Sequence, residues 1–213
     1  MTACFFKTEA IFFVGGDSKF KPSFIVDQRK RFMRNHGPWK IKATEDVYQD
    51  PFIHVWKDEV VGPDGIDGQH VVVAMKPGVC VLAVDDQYNL HLTNEFHYGV
   101  GRYSIEAVSG GIEPGEDADV TAVRELQEEL GLAAGRWNYL STVDPFTTIM
   151  VSPTRLYFAH ELTEVESQME GTETIEKIVL PLETAWQKVV SGEITHAPTC
   201  VLISRAKIEF SKF

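Results

Sequence analysis

With 213 residues, 44% of them hydrophobic and 24% charged, the chain can bury a full core and sits at the border between one domain and two. A net charge of −11 argues against long-range attraction to nucleic acid or to an anionic membrane, although a bound divalent cation can reverse the field locally for a small phosphorylated substrate. Cys4, Cys80 and Cys200 are scattered and form no CxxC or Cys/His pattern, which disfavours a disulfide framework or a structural zinc site.

The first apolar run, "AIFFV", is too short for a signal-peptide core and lacks a basic leader, and no stretch approaches the roughly 20 apolar residues of a membrane span. A cytoplasmic location is therefore expected. Residues 1–75 alternate short apolar runs with turn signals such as "GGDS" and "GPDG", a strand-rich pattern. Within them "DQRKRFMRNHGPW" reads as a short helix stopped at Gly37-Pro38, its arginines a solvated face rather than a nucleic-acid patch. From residue 78 the pattern tightens. "GVCVLAV" and "LHLTNEF", joined by "DDQYN", make a hairpin, and "SIEAV" is a further strand.

A helix follows over 117–130, then strands at "WNYLSTV" and "TRLYFAHEL", the acidic loop "TEVESQMEGTET", and the strand "IEKIVL". "LETAWQKVVSG" and "APTCVLISRAKIEF" read as the last two helices. The mixture lacks regular βα alternation, so an α+β layered core is expected, with a strand-rich region over 1–75 and a second domain over 76–213.

The stretch "GGIEPGEDADVTAVRELQEELGL" (110–132) carries seven carboxylates and one basic residue, Arg124. As a regular helix over 117–130, it places Val120, Val123, Leu126 and Leu130 on a core face and Glu125, Glu128 and Glu129 opposite. Arg124 lies one turn from Glu128, and Asp117 and Asp119 sit in the first turn, where the helix dipole favours anions. The glutamates lie in the later half, where the dipole gives anions no help. Gly110, Gly111 and Gly115 allow close approach of a ligand. Oxygen-only ligands so disposed suit a hard divalent cation, Mg²⁺ or Mn²⁺, with substrate phosphates completing the shell.

The same residues match the signature G-x5-E-x7-R-E-U-x-E-E-x-G-U, with U an apolar aliphatic residue. They run Gly110, Glu116, Arg124, Glu125, Leu126, Glu128, Glu129, Gly131 and Leu132, so all nine constrained positions are met. On that match the chain resembles the Nudix hydrolases. More loosely, through "VYQDPFIHVWKDEVVGPDG", "NEFHYGVGRYSIEAVSGGIEPGE" and "GTETIEKIVLPLETAWQKVVSGEITHA", it resembles their ADP-ribose and nucleoside-diphosphate-sugar pyrophosphatases.

The resemblance implies an α/β/α sandwich and Mg²⁺-dependent cleavage of the pyrophosphate of a nucleoside-diphosphate sugar. It implies Glu125 and Glu129 as principal metal ligands, with Glu128 close by and the backbone carbonyl of Ser109 as a further ligand. Glu116 and Arg124 would orient the cluster. A loop glutamate would serve as base or further ligand, Glu173 ahead of Glu170. Gly110 and Gly111 would leave room for phosphate, and a homodimer built through residues 1–75 is implied.

The chain departs from the subgroup in carrying Glu95-Phe96-His97 for the usual Gln-Tyr-Arg, and Ala107-Val108-Ser109-Gly110 for Leu-Pro-Ala-Gly. His97 therefore replaces an arginine that could grip phosphate, Arg102 is a substitute for it, and Phe96 offers a flat face for a base. ADP-ribose itself is the alternative substrate. A catalytically idle nucleotide sensor is the alternative of another class, disfavoured because every box glutamate is kept.

Overall fold

The computed structural model describes residues 12–14, 33–166 and 175–210, which divide into two compact units. Among the described residues, unit 1 comprises 12–14, 78–143, 154–166 and 175–210, and unit 2 comprises 33–77 and 144–153.

Unit 1 is built around β6 (Gly78–Val84), an unbroken apolar run that is almost wholly buried. Its alternating side chains go to opposite faces, as a strand covered on both sides requires. Cys80, Leu82 and Val84 join one core with Leu156, Phe158 and the helices α2 (Leu182–Val190) and α3 (Ala197–Phe210). Val79, Val81 and Ala83 join another with α1 (Ala118–Glu125), Trp137 and Tyr157. Helices thus cover both faces of the sheet, which makes the α/β/α sandwich of the expected α+β class.

The other strands of this sheet are β1 (Phe12–Val14), β7 (Asn89–His97), β8 (Arg102–Glu106), β9 (Val108–Gly111), β10 (Leu132–Val143), β12 (Thr154–Glu164) and β13 (Glu176–Pro181). Their order is β1-β10-β12-β6-β7-β13, with β8 on β7 and β9 on β6. β12 runs parallel to β6, and β7 antiparallel to it. One detail of register positions the site. β7 holds β6 only at Ala83 and Val84, whereas β9 takes the other end of the same edge, from Gly78 to Val81. Where β7 peels away with β8, Ser109 and Gly110 are pinned against Cys80 and Val79.

Unit 2 is a five-stranded sheet in the order β11 (Met150–Val151), β5 (Asp67–Met75), β4 (Ile53–Val61), β3 (Trp39–Gln49) and β2 (Arg34–His36). The helix expected over 27–36 is corrected in its described part, because Arg34–His36 pair with Trp39–Ile41 across the Gly37-Pro38 turn. Gly37 adopts the positive φ that this tight turn demands. Val47, Tyr48, Phe52, Val71 and Met75 leave apolar surface exposed on this unit. Among the described residues, no helix is long and apolar enough to cross a membrane.

Candidate active site

The long helix expected over 117–130 exists in two forms. Asp117 caps α1 by accepting from the Asp119 N–H at 2.8 Å, as its place ahead of the first turn suggested. At Leu126 the backbone widens into a π-turn, Leu126–Leu130, which Gly131 ends in the left-handed conformation at φ 64°. π-Turns are uncommon and concentrate at functional sites. The expected core face is corrected accordingly. Val120 is 58% exposed, and the buried set is Ala118, Thr121, Ala122, Leu126 and Leu130. The i, i+4 row Ala118, Ala122, Leu126 and Leu130 joins Val79, Val81 and Ala83 of β6 in one core.

Arg124 is the hub of the polar face. Its Nε donates to Glu116 Oε1 at 3.1 Å, and one terminal nitrogen donates to Glu125 Oε1 at 2.7 Å and to Glu128 Oε2 at 2.9 Å. The other terminal nitrogen reaches Glu116 Oε2 at 3.2 Å and the Gly111 carbonyl at 3.4 Å. One planar fork therefore holds carboxylates from the loop, from α1 and from the π-turn, a task the point charge of lysine cannot perform. Glu129 takes a different partner, the Ser109 N–H at 3.4 Å, which ties the π-turn to β9. From β13, Lys177 Nζ donates to the Leu130 carbonyl at 2.9 Å and closes the C-terminal end.

Gly110 explains its own identity. A Cβ there would lie 2.0 Å from Cδ and from Oε1 of Glu125, so the carboxylate occupies the space a side chain would need. Two glutamates bonded to the same arginine consequently titrate in opposite directions. The Arg124 hydrogen bond holds Glu116 below the usual carboxylate range. Burial outranks Arg124 at Glu125 and pushes it up to about 6. Arg124 is itself held more firmly protonated, first by Glu116.

Among the described residues, no three His, Cys, Asp or Glu side chains converge as a ready cage for a metal. Arg124 draws Glu125 and Glu128 instead. The donor chemistry nevertheless fits a hard cation. Glu116, Glu125, Glu128 and Glu129 supply only carboxylate oxygens, one arginine offsets them, and Glu125 is seated largely buried in the space beside Gly110.

The remaining expected residues fall as follows. Gly110 and Gly111 lie on β9 beside the cluster. Arg102 donates to Thr195 Oγ1 at 2.7 Å, and Phe96 is exposed with its ring edge-on to Tyr103 at 5.5 Å. His97 pairs with Glu106 at 3.1 Å. Glu170 and Glu173 lie outside the described residues, as do Arg29, Lys30 and Arg31 of the basic stretch. Sequence reasoning passed over Glu106, His196 and Lys177. Each stood in a quoted motif, but spacing alone gave none of them a partner. A separate cavity of about 330 Å³ in unit 2, lined by Trp39, Asp58 and His70 among others, contains none of the box residues.

The description "NUDIX domain" matches residues 74–197. The chain belongs to the Nudix family. It is 26% identical over 172 residues to the ADP-ribose pyrophosphatase of Bacillus subtilis (strain 168), covering 80% of this chain and 93% of that one. It is 28% identical over 158 residues to the ADP-ribose pyrophosphatase of Mycobacterium tuberculosis (strain ATCC 25618 / H37Rv), covering 73% and 76%. A solved structure titled as an ADP compounds hydrolase superposes with a TM-score of 0.69 at 21% identity, covering 84% of this chain and 97% of the other; at that identity it shows the fold. This Nudix chain is a pyrophosphohydrolase of the ADP-ribose pyrophosphatase-like subgroup, and the family generally employs divalent metal ions.

Proposed function

We propose that this Nudix hydrolase cleaves the pyrophosphate bond of a nucleoside-diphosphate sugar with Mg²⁺, releasing a nucleoside monophosphate and a sugar phosphate. The observation that carries the reading is the complete carboxylate set around Arg124, with Glu125 seated in the space that Gly110 leaves. Glu125, Glu128, Glu129 and the Ser109 carbonyl would hold the metal, and Mn²⁺ would substitute for it. Bound there, a divalent ion withdraws charge from the phosphoryl group and acidifies a water.

The chain's own residues supply the order. Arg124, itself held by Glu116, fixes Glu125 at the end of α1 and Glu128 on the π-turn, and the Ser109 N–H fixes Glu129. Lys177 anchors the turn's end to β13, the strand that follows the acidic loop. Glu173, or Glu170 beside it, takes the proton from the attacking water. Two relatives named as ADP-ribose pyrophosphatases make ADP-ribose the first compound of the class to test. Retention of every box glutamate speaks against a catalytically idle nucleotide sensor.

The test is a panel of ADP-ribose, GDP-mannose and UDP-glucose assayed for monophosphate release with and without Mg²⁺. Turnover of at least one sugar, lost on chelation, is expected. Inertness toward all three with cleavage of dNTPs or dinucleoside polyphosphates overturns the substrate class. We further infer a cytoplasmic homodimer paired through residues 1–75, supported by the exposed apolar residues of unit 2. Sedimentation as a monomer at micromolar concentration would refute the pairing. The net charge of −11 supports the absence of nucleic-acid and membrane partners.

A further inference from the structure

A second polar cluster in unit 1 has a carboxylate at its centre. Glu106, at the end of β8, has His97 Nε2 3.1 Å from one oxygen and His196 Nδ1 3.1 Å from the other, each as an ion-pair contact. His196 stands just ahead of α3, and its Nδ1 also lies 2.9 Å from Thr199 Oγ1, which accepts the Ala107 N–H at 2.9 Å. Arg102 closes the rim through Thr195 at 2.7 Å. The paired strands β7 and β8 and the distant segment ahead of α3 thus meet at one carboxylate that is largely shielded from solvent.

The cluster adjoins the carboxylate site. Glu106 precedes Ser109 by three residues. The buried Cys80 thiol takes the Ser109 hydroxyl at 3.3 Å, is hydrogen-bonded to Thr199, and feels the charges of both Glu106 and Glu129. One thiol therefore separates the two polar groups.

We propose that His196 and Glu106, flanked by His97 and Arg102, form the subsite that reads the hydroxyl groups of the sugar beyond the pyrophosphate, a reading that rests on the function proposed above. Its chemistry follows from the hub. Each carboxylate oxygen has one imidazole beside it and keeps a lone pair for a ligand, so the carboxylate can take a hydroxyl proton. His196 Nδ1 lies 2.9 Å from Thr199 Oγ1 and 3.1 Å from Glu106, which leaves Nε2 as the ring nitrogen for a ligand. Burial holds this ring below the usual histidine range, with Glu106 opposing and His97 adding to the effect. A neutral ring that carries its proton on Nδ1, beside Thr199 and Glu106, presents Nε2 as an acceptor. Two acceptors side by side suit neighbouring hydroxyls. Glu106 offers a different oxygen to each ring, and among the described residues no such trio converges on a metal point.

The experiment compares kcat/KM for ADP-ribose with that for the methyl ester of ADP, which keeps the pyrophosphate and lacks the second sugar. If the panel shows another nucleoside-diphosphate sugar to be turned over, that compound and the corresponding ester are used. In His196→Phe and Glu106→Gln the ratio of sugar to ester is expected to fall at least tenfold, mainly through KM. His196→Gln, which keeps an acceptor, is expected to recover part of it. Equal losses on both substrates, or an unchanged ratio, overturn the subsite and leave the hydrolase reading standing.

A turnover-free readout separates the two proposals. Ribose 5-phosphate titrated into the wild-type protein should shift the His196 imidazole NMR resonances saturably. If the wild type cleaves no diphosphate sugar and that shift is seen, the function reading falls and the subsite stands. Absence of the shift sinks the subsite.

Discussion

Unit 1 carries two charged knots, and they are built as opposites. In one, a cation holds three carboxylates, Glu116, Glu125 and Glu128. In the other, a carboxylate holds two imidazoles, His97 and His196. The first carries an excess of negative charge that one guanidinium leaves uncompensated, and so invites a further cation. The second is closer to balance and presents acceptors rather than a net field. The difference separates a place for chemistry on phosphate from a place for recognising neutral hydroxyls.

The sharpest break of the first knot is Glu129→Gln. It keeps the shape and the Ser109 contact but removes a charge that a divalent cation needs. Metal catalysis contributes several kcal/mol of charge stabilisation, so kcat at saturating Mg²⁺ should fall by roughly 100-fold or more. Unchanged Mg²⁺-dependent turnover would sink the metal-site assignment. Gly110→Ala comes next. Its Cβ would meet Glu125 at 2.0 Å and must displace that carboxylate. A disturbed support of this kind costs roughly 10–100-fold in metal affinity, measurable by calorimetric Mn²⁺ titration.

The two knots also differ in how far they could be read from the sequence. The first spans residues 116–129, so loop length and helical spacing alone bring its members together. The Gly110 requirement was visible only as a glycine, because what fills its space is a side chain fifteen positions away. The π-turn was not legible. Regular spacing put Val120 in the core, and only packing of Ala118, Ala122, Leu126 and Leu130 on β6 showed otherwise. The second knot joins residues 97, 106 and 196, a juxtaposition that exists only once β8 pairs with β7 and α3 packs on the sheet. By contrast, β6, β7, α2 and α3 were plain, since long apolar runs and helix stops are local signals.

Arg124→Lys tests the first knot in the absence of metal. Lysine keeps the charge and loses the fork, so at most one of the three carboxylates stays well paired. With Arg124 one-third exposed, the solvent-discounted cost is about 1–2 kcal/mol, seen as a lower urea midpoint. Saturating Mg²⁺ should recover most of that loss, because the ion supplies the missing positive charge. No recovery would mean that Arg124 braces the fold rather than the carboxylates.

The smallest effect tests the second knot by pH. An unfolded histidine titrates near 6.5, and burial holds folded His196 lower. Between those two values the unfolded chain binds more protons, so stability rises with pH across that window. The contribution of the neutral ring is fully present above the unfolded value and is lost as pH falls toward the folded one. Glu106 opposes burial, so the difference is small. Urea midpoints at pH 7.5 and pH 5.5 should therefore separate more in the wild type than in His196→Gln. A wild type that gains stability relative to His196→Gln on acidification reverses the inference. Glu106 would then outrank burial, His196 would be charged, and the knot would face anions in place of hydroxyls.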